Sequence, residues 1–131
     1  MEERSELRTI LTADIPGFSG RMKDDPESIL RLLVDGFYAI VDRHVRTHGG
    51  TVFRKEGDAV WCMFGSVVSA VRAAAGIQED ILVRNSREGE GGRFSLRMGL
   101  DVGDVLLRPD GDVLGHALSV AKRLETACEP G

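Results

Sequence analysis

Thr51-Val52-Phe53-Arg54-Lys55-Glu56-Gly57-Asp58-Ala59-Val60-Trp61-Cys62-Met63-Phe64 decides how this chain folds. Two short runs, Thr51 to Lys55 and Ala59 to Phe64, flank a tight turn at Glu56-Gly57-Asp58. That pattern reads as a β-hairpin, with glycine giving the turn its backbone freedom. Upstream, Gly49-Gly50 stops a helix. The helix opens at Asp25-Pro26-Glu27, with Asp25 as N-cap and Pro26 at the first helical position. Ile29, Leu32, Leu33, Phe37, Ile40, Val41 and Val45 keep one apolar stripe along it. Before it, Leu7 to Ala13 reads as a strand that ends at Asp14, and Pro16-Gly17 forces a turn.

Downstream, Ser66 caps a second helix whose expected stripe is Val67, Val68, Val71, Ala74, Ala75, Gln78, Ile81 and Leu82. Ser86 to Gly92 is a polar loop. Phe94, Leu96, Met98, Leu100 and Val102 alternate as a strand, which Val105 to Leu107 extend or pair with. Pro109-Asp110-Gly111 is a turn. A last helix runs from about Gly115 to Cys128, with Leu118, Ala121, Leu124 and Cys128 expected inward. The order βαββαβ with a trailing strand and helix predicts an α+β fold. It is a ferredoxin-like palm, an antiparallel sheet with helices on one face. The first strand then lies beside the hairpin, and Asp14 meets Asp58 at one end of the sheet. No repeat or linker interrupts the chain, so residues 1–131 read as one domain.

A hydrophobic content of 42% suffices for a core. A net charge of −4 argues against a nucleic-acid partner. Cys62 and Cys128 lack metal-type spacing and read as reduced thiols, which points to a cytoplasmic protein. The charged start Met1-Glu2-Glu3-Arg4 does not read as a signal peptide. No apolar run nears the length of a membrane span, so no membrane contact is expected from this segment. His44, His48 and His116 show no ligand spacing.

Paired carboxylates beside a turn rich in free backbone N–H groups suit a divalent metal holding a polyphosphate. On the residues alone, Asp14 and Asp58 serve equally well as a cap and a turn residue. Four segments then bear on the choice: Asp14-Ile15-Pro16-Gly17-Phe18-Ser19, the Gly57-Asp58 turn, Arg97-Met98-Gly99-Leu100 with Gly103-Asp104-Val105, and Asp112, Gly115, Ala121, Arg123 and Leu124. In this order and spacing the chain resembles the class III nucleotidyl (adenylyl/guanylyl) cyclase catalytic domain, from about Thr9 to Gly131.

The resemblance implies conversion of ATP to 3′,5′-cyclic AMP and pyrophosphate in a head-to-tail homodimer that shares its sites. Asp14, Asp58 and the Ile15 carbonyl would hold two Mg²⁺ or Mn²⁺ ions. Backbone N–H groups of Ile15, Gly17, Phe18 and Ser19 would cradle the phosphates. Arg54 stands where the family places a base-reading Lys, and Asp112 matches its base-reading Asp. Ser119 stands where a ribose-orienting Asn is usual, and Arg123 matches the transition-state arginine. Arg54 and Ser119 depart from the family. So does the end at Glu129-Pro130-Gly131, where the family continues into further strands and a phosphate-binding Lys. These departures keep open an alternative, a catalytically weak or inactive nucleotide-binding or dimerisation module. The Gly-Gly-Asp/Glu-Glu-Phe hairpin of diguanylate cyclases is absent. The central strands also lack the aromatic residues of an RNA-binding palm.

Overall fold

The computed structural model describes residues 2–131; Met1 of the charged start lies outside them. The strands are β1 (Arg4–Asp14), β2 (Thr51–Glu56), β3 (Ala59–Phe64), β4 (Arg97–Leu107) and β5 (Val113–Leu114). They form one antiparallel sheet in the order β2-β3-β1-β4-β5. β1 is central, and its C-terminal half is buried on both faces. Ile10 packs into one layer, and Leu11 and Ala13 into the other.

The helices are α1 (Phe18–Asp24), α2 (Pro26–Arg31), α3 (Ala39–Thr47), α4 (Val67–Arg87) and α5 (His116–Ala127). Asp25 Oδ1 accepts from the Ser28 N–H at 3.4 Å, and Ser66 Oγ from the Ser69 N–H at 3.1 Å, so both caps form. Gly49 takes φ 74°, and the Gly50 N–H closes the helix onto the Val45 carbonyl at 2.8 Å. Between α2 and α3 the chain winds as a π-helix over Leu32–Tyr38, where one regular helix was expected. Gly36 lies within that stretch, where its weak helix preference lowers the cost of the wider winding.

The α+β palm is borne out, and its cover adds one feature. α3, α4 and the π stretch bury Leu33, Phe37, Val41, Val45, Ala73 and Ile77 against one face. α5 lies on the opposite face, where Ala117, Leu118 and Ala121 meet Ile10, Val105, Leu107 and Val113. β4 serves both layers by alternation. Met98 and Leu100 face α3 and α4, while Gly99, Gly103 and Val105 face α5. Gly99 is required there, because a Cβ would stand 2.0 Å from the Ala121 carbonyl oxygen.

Two helical stripes differ from expectation. α4 buries Ala70, Ala73, Ile77 and Ile81, and leaves Val67, Val68, Val71 and Leu82 exposed. Small alanines let this helix sit close to its neighbours, where valines would hold it away. α5 buries Glu125 and exposes Leu124, because Glu125 has a cation and the end of β1 to face. Among the described residues no helix is long and apolar enough to cross a membrane.

Candidate active site

Asp14 closes β1, and its cross-strand partner on β4 is Arg97. The guanidinium brackets the carboxylate, with Nε donating to Oδ1 at 3.2 Å and Nη2 to Oδ2 at 3.1 Å. This hydrogen-bonded pairing raises the Arg97 pKa further above its usual value. Asp58 follows Gly57, whose φ of 58° makes the β2–β3 turn. Its Oδ2 accepts from the Ile15 N–H at 3.3 Å. The second carboxylate is therefore tied to the residue next to the first. Burial lifts the Asp58 pKa; the Ile15 N–H opposes this and the Asp14 charge adds to it. The Tyr38 hydroxyl, at the end of the π stretch, donates to the Gly57 carbonyl and holds the turn from below.

Lys122 on α5 reaches the same place. Its Nζ donates to Glu125 Oε2 at 2.7 Å and stands 3.6 Å from Asp14 Oδ2. Burial works against the ammonium, but Glu125 and Asp14 outweigh it and hold its pKa above the ordinary value. Glu125 is fully buried, and burial pushes its own pKa up against the pull of Lys122.

Beside these carboxylates lies an open cleft of about 630 Å³, lined by Arg54, Trp61, Leu118, Ser119, Lys122 and Arg123 among others. A bulge in β2 between Val52 and Arg54 sets Arg54 opposite Trp61. The Arg54 guanidinium lies 5.4 Å from the Trp61 ring centroid and 5.7 Å from that of Phe53. Its Nη2 donates to Asp112 Oδ1 at 2.6 Å and to the Val113 carbonyl at 3.1 Å. The Arg54 hydrogen bond draws the Asp112 pKa below the usual carboxylate range. Lys55 points the other way, to Asp42 at 2.9 Å. Ser119 and Arg123 are exposed, and Arg123 has no ion pair within the described residues.

The sequence-derived residues thus fall into two groups. Asp14, Ile15 and Asp58 come together at the end of β1. Arg54, Ser119 and Arg123 share the cleft, with Asp112 paired to Arg54. In the turn between β1 and α1, Gly17 takes φ 76° and Ser19 is exposed, but the Phe18 side chain belongs to the core. Phe18 therefore has only its backbone to offer, and its N–H already bonds the Ile15 carbonyl at 3.3 Å. Arg97, Lys122, Glu125, Trp61 and Tyr38 were not foreseen as parts of this site. Lys122 and Glu125 carry one signal, a charge pair three residues apart on a helix.

The donor set suits a hard divalent cation: two carboxylates beside a backbone carbonyl, all oxygen. No three His, Cys, Asp or Glu side chains among the described residues converge as a metal cage of their own. An ion here would complete its shell with water or with the oxygens of a ligand.

The profile for "Adenylate and Guanylate cyclase catalytic domain" matches residues 1–131. The chain belongs to this family. It is 36% identical over 128 residues to a protein named "Putative adenylate cyclase 3" from Rhizobium meliloti (strain 1021), covering 98% of this chain and 22% of that one. It is 30% identical over 133 residues to "Adenylate cyclase" of Anabaena cylindrica, of which it spans 26%. The cyclase domain superposes on the crystal structure of an adenylate/guanylate cyclase/hydrolase from Silicibacter pomeroyi with a TM-score of 0.88. Identity there is 30%, over 98% of this chain and 74% of that one. The adenylyl cyclase CyaB from P. aeruginosa shares the fold at a TM-score of 0.85 and 23% identity, over 99% and 76% of the two chains.

Proposed function

We propose that residues 1–131 form a catalytic domain that cyclises a nucleoside triphosphate, ATP by preference, to the 3′,5′-cyclic nucleotide and pyrophosphate. The reading supposes two copies of the chain sharing each site, with no nucleic-acid partner. The observation that carries it is the Asp58 Oδ2 contact with the Ile15 N–H, 3.3 Å, which joins the two carboxylates at one sheet end. Asp14, Asp58 and the Ile15 carbonyl would hold Mg²⁺ or Mn²⁺. Bound there, the ions would lower the pKa of the ribose 3′-hydroxyl and would neutralise phosphate charge. The β1–α1 turn contributes backbone N–H groups to the phosphates, and Gly17 allows close approach. From the second copy, Ser119 orients the ribose and Arg123 meets the charge that builds at the α-phosphate. Arg123 fits this role because it is exposed and has no ion pair among the described residues. Asp112 accepts from the adenine amino group through Oδ2, since Oδ1 is the oxygen engaged by Arg54. Positioning across the two copies then sets the rate.

A second reading is favoured by one contact. Arg54 and Asp112 satisfy each other at 2.6 Å, so the base-reading groups are closed on themselves. In that reading the domain binds nucleotide or dimerises with little or no turnover. Incubation with ATP, GTP, CTP and UTP in Mn²⁺ distinguishes the two. Cyclic AMP as the main product supports cyclisation. Tight nucleotide binding without any cyclic product, in a preparation shown to be dimeric, supports the second reading.

A further inference from the structure

The end of β1 gathers three carboxylates, Asp14, Asp58 and Glu125, and two cations, Arg97 and Lys122. Arg97 alone brackets both oxygens of Asp14. Lys122 nonetheless brings a second cation to Oδ2, at 3.6 Å. It is held there from behind by Glu125, whose Oε2 takes its hydrogen bond at 2.7 Å. Glu125 is 0% exposed, and its Oε1 has no hydrogen-bond partner. A buried carboxylate left half satisfied is costly, so the Lys122–Glu125 arrangement is not a bystander on a solvated helix face. Lys122 also has two directions available. It lies on the wall of the Ser119–Arg123 cleft, with its Nζ 5.9 Å from the Trp61 ring centroid.

We propose that Lys122 is an internal counter-ion of the Asp14–Asp58 pair, a positioning residue that a divalent cation must move aside, with Glu125 as the seat that retains the displaced ammonium. The inference rests on reading Asp14 and Asp58 as the metal carboxylates. Its chemistry is competition for one oxygen, because Asp14 Oδ2 cannot serve both an ammonium and a bare cation at full strength. A metal arriving alone loses the ammonium's attraction to Asp14 and gains its repulsion. A metal arriving with a polyphosphate meets neither cost in full, since the released ammonium turns to phosphate oxygens across the cleft. Lys122 therefore makes metal binding depend on the polyphosphate.

The test uses Mn²⁺ alone, with free ion counted by electron paramagnetic resonance, on the full chain without nucleotide. Lys122→Met should tighten Mn²⁺ binding by at least about fivefold, and Lys122→Arg, which keeps the charge, should stay within about twofold of the parent. If Lys122→Met fails to fold, Lys122→Met with Glu125→Gln leaves no unpaired buried carboxylate and should still tighten binding by at least about twofold. Inorganic triphosphate added with Mn²⁺ should narrow the gap between parent and variant. The counter-ion assignment is overturned if the folded variants bind Mn²⁺ no more tightly than the parent while Asp14→Asn loses binding. If Asp14→Asn binds Mn²⁺ as the parent does, the metal-site reading itself fails, and this inference fails with it.

Discussion

Gly99→Ala tests the link between the sheet and the helix that carries the cleft residues. The added Cβ would stand 2.0 Å from the Ala121 oxygen, 2.7 Å from the Glu125 nitrogen and 3.0 Å from the Ala121 carbonyl carbon. These are backbone atoms, so no side-chain rotation relieves the overlap. α5 must lift by about 1 Å or more before the contact stops being repulsive. That lift breaks the Thr12 hydroxyl contact with the Ala121 carbonyl, now 3.5 Å, and loosens the packing of Ala117 and Leu118 on Ile10 and Val105. Overpacking of this kind costs about 1–3 kcal/mol, and rigid backbone on both sides puts this site near about 3. Urea unfolding followed by Trp61, the one tryptophan of the chain, measures it. The expected loss lowers the melting temperature by about 10 °C. Ser119, Lys122 and Arg123 ride on the same helix, so cyclisation should fall about 100-fold in protein that is still folded. A stability loss below about 0.5 kcal/mol would refute the claim that α5 is seated on Gly99.

Asp14→Ala and Asp58→Ala should each abolish Mn²⁺-dependent binding of a non-cyclising ATP analogue in isothermal titration. Unchanged affinity in both would sink the metal-site assignment. Asp58→Ala and Arg123→Ala should each be inactive alone and recover activity when mixed, because one intact site can form per mixed dimer. No recovery, with subunit exchange demonstrated, argues against a shared site. Arg54→Lys with Ser119→Asn should raise cyclic AMP formation at least about tenfold, roughly 1.4 kcal/mol of barrier, with less effect on analogue affinity. Product that stays at background with the analogue still tightly bound favours the non-catalytic reading. Between α3 and α4, the His44 hydrogen bond, at 2.7 Å, leads in holding the Asp80 pKa below its usual 3.8, with Arg43 assisting. That depressed value contributes stability that is present above pH 3.8 and lost as pH falls through the folded-state pKa. Asp80→Asn should therefore flatten the acid side of a melting-temperature profile below that pH, and an unchanged slope would remove the pair from the acid response.

The hairpin was legible because a glycine-aspartate turn between two apolar runs allows few other structures. The N-caps at Asp25 and Ser66 were legible because a cap acts on N–H groups only three residues away. α4 misled because its valines and alanines both repeat at helical spacing, and hydropathy favours the larger ones. The packed structure chose the alanines for closeness. On α5, hydropathy pointed Leu124 inward, but Leu124 is exposed and its neighbour Glu125 is buried. A carboxylate can be buried when a lysine one turn away and the end of a distant strand share its charge. Arg97 reaches Asp14 across 83 residues of sequence. Only the β1–β4 register makes them neighbours, and that register is a property of the sheet.

The charges of the site follow from the same register. Asp14 is answered by Arg97 and Lys122, Asp58 by the Ile15 N–H, Arg54 by Asp112, and Lys122 by Glu125. On the proposed reading, pairs of this kind must be exchanged when ligand binds. A lone divalent ion is opposed by the cations already at Asp14. A lone polyphosphate is opposed by the carboxylates that those cations leave half neutralised. The two together carry charges that match both sets, so each lowers the cost of the other. Arg123 stands outside this accounting, exposed and without an acidic partner among the described residues. A guanidinium of that kind is worth most where new negative charge appears, which in the proposed function is a phosphate held by a second copy. The in-chain partners of Asp14, Arg54, Lys122 and Glu125, and the lack of one for Arg123 among the described residues, are what the proposed division of the site between two copies would leave in each chain.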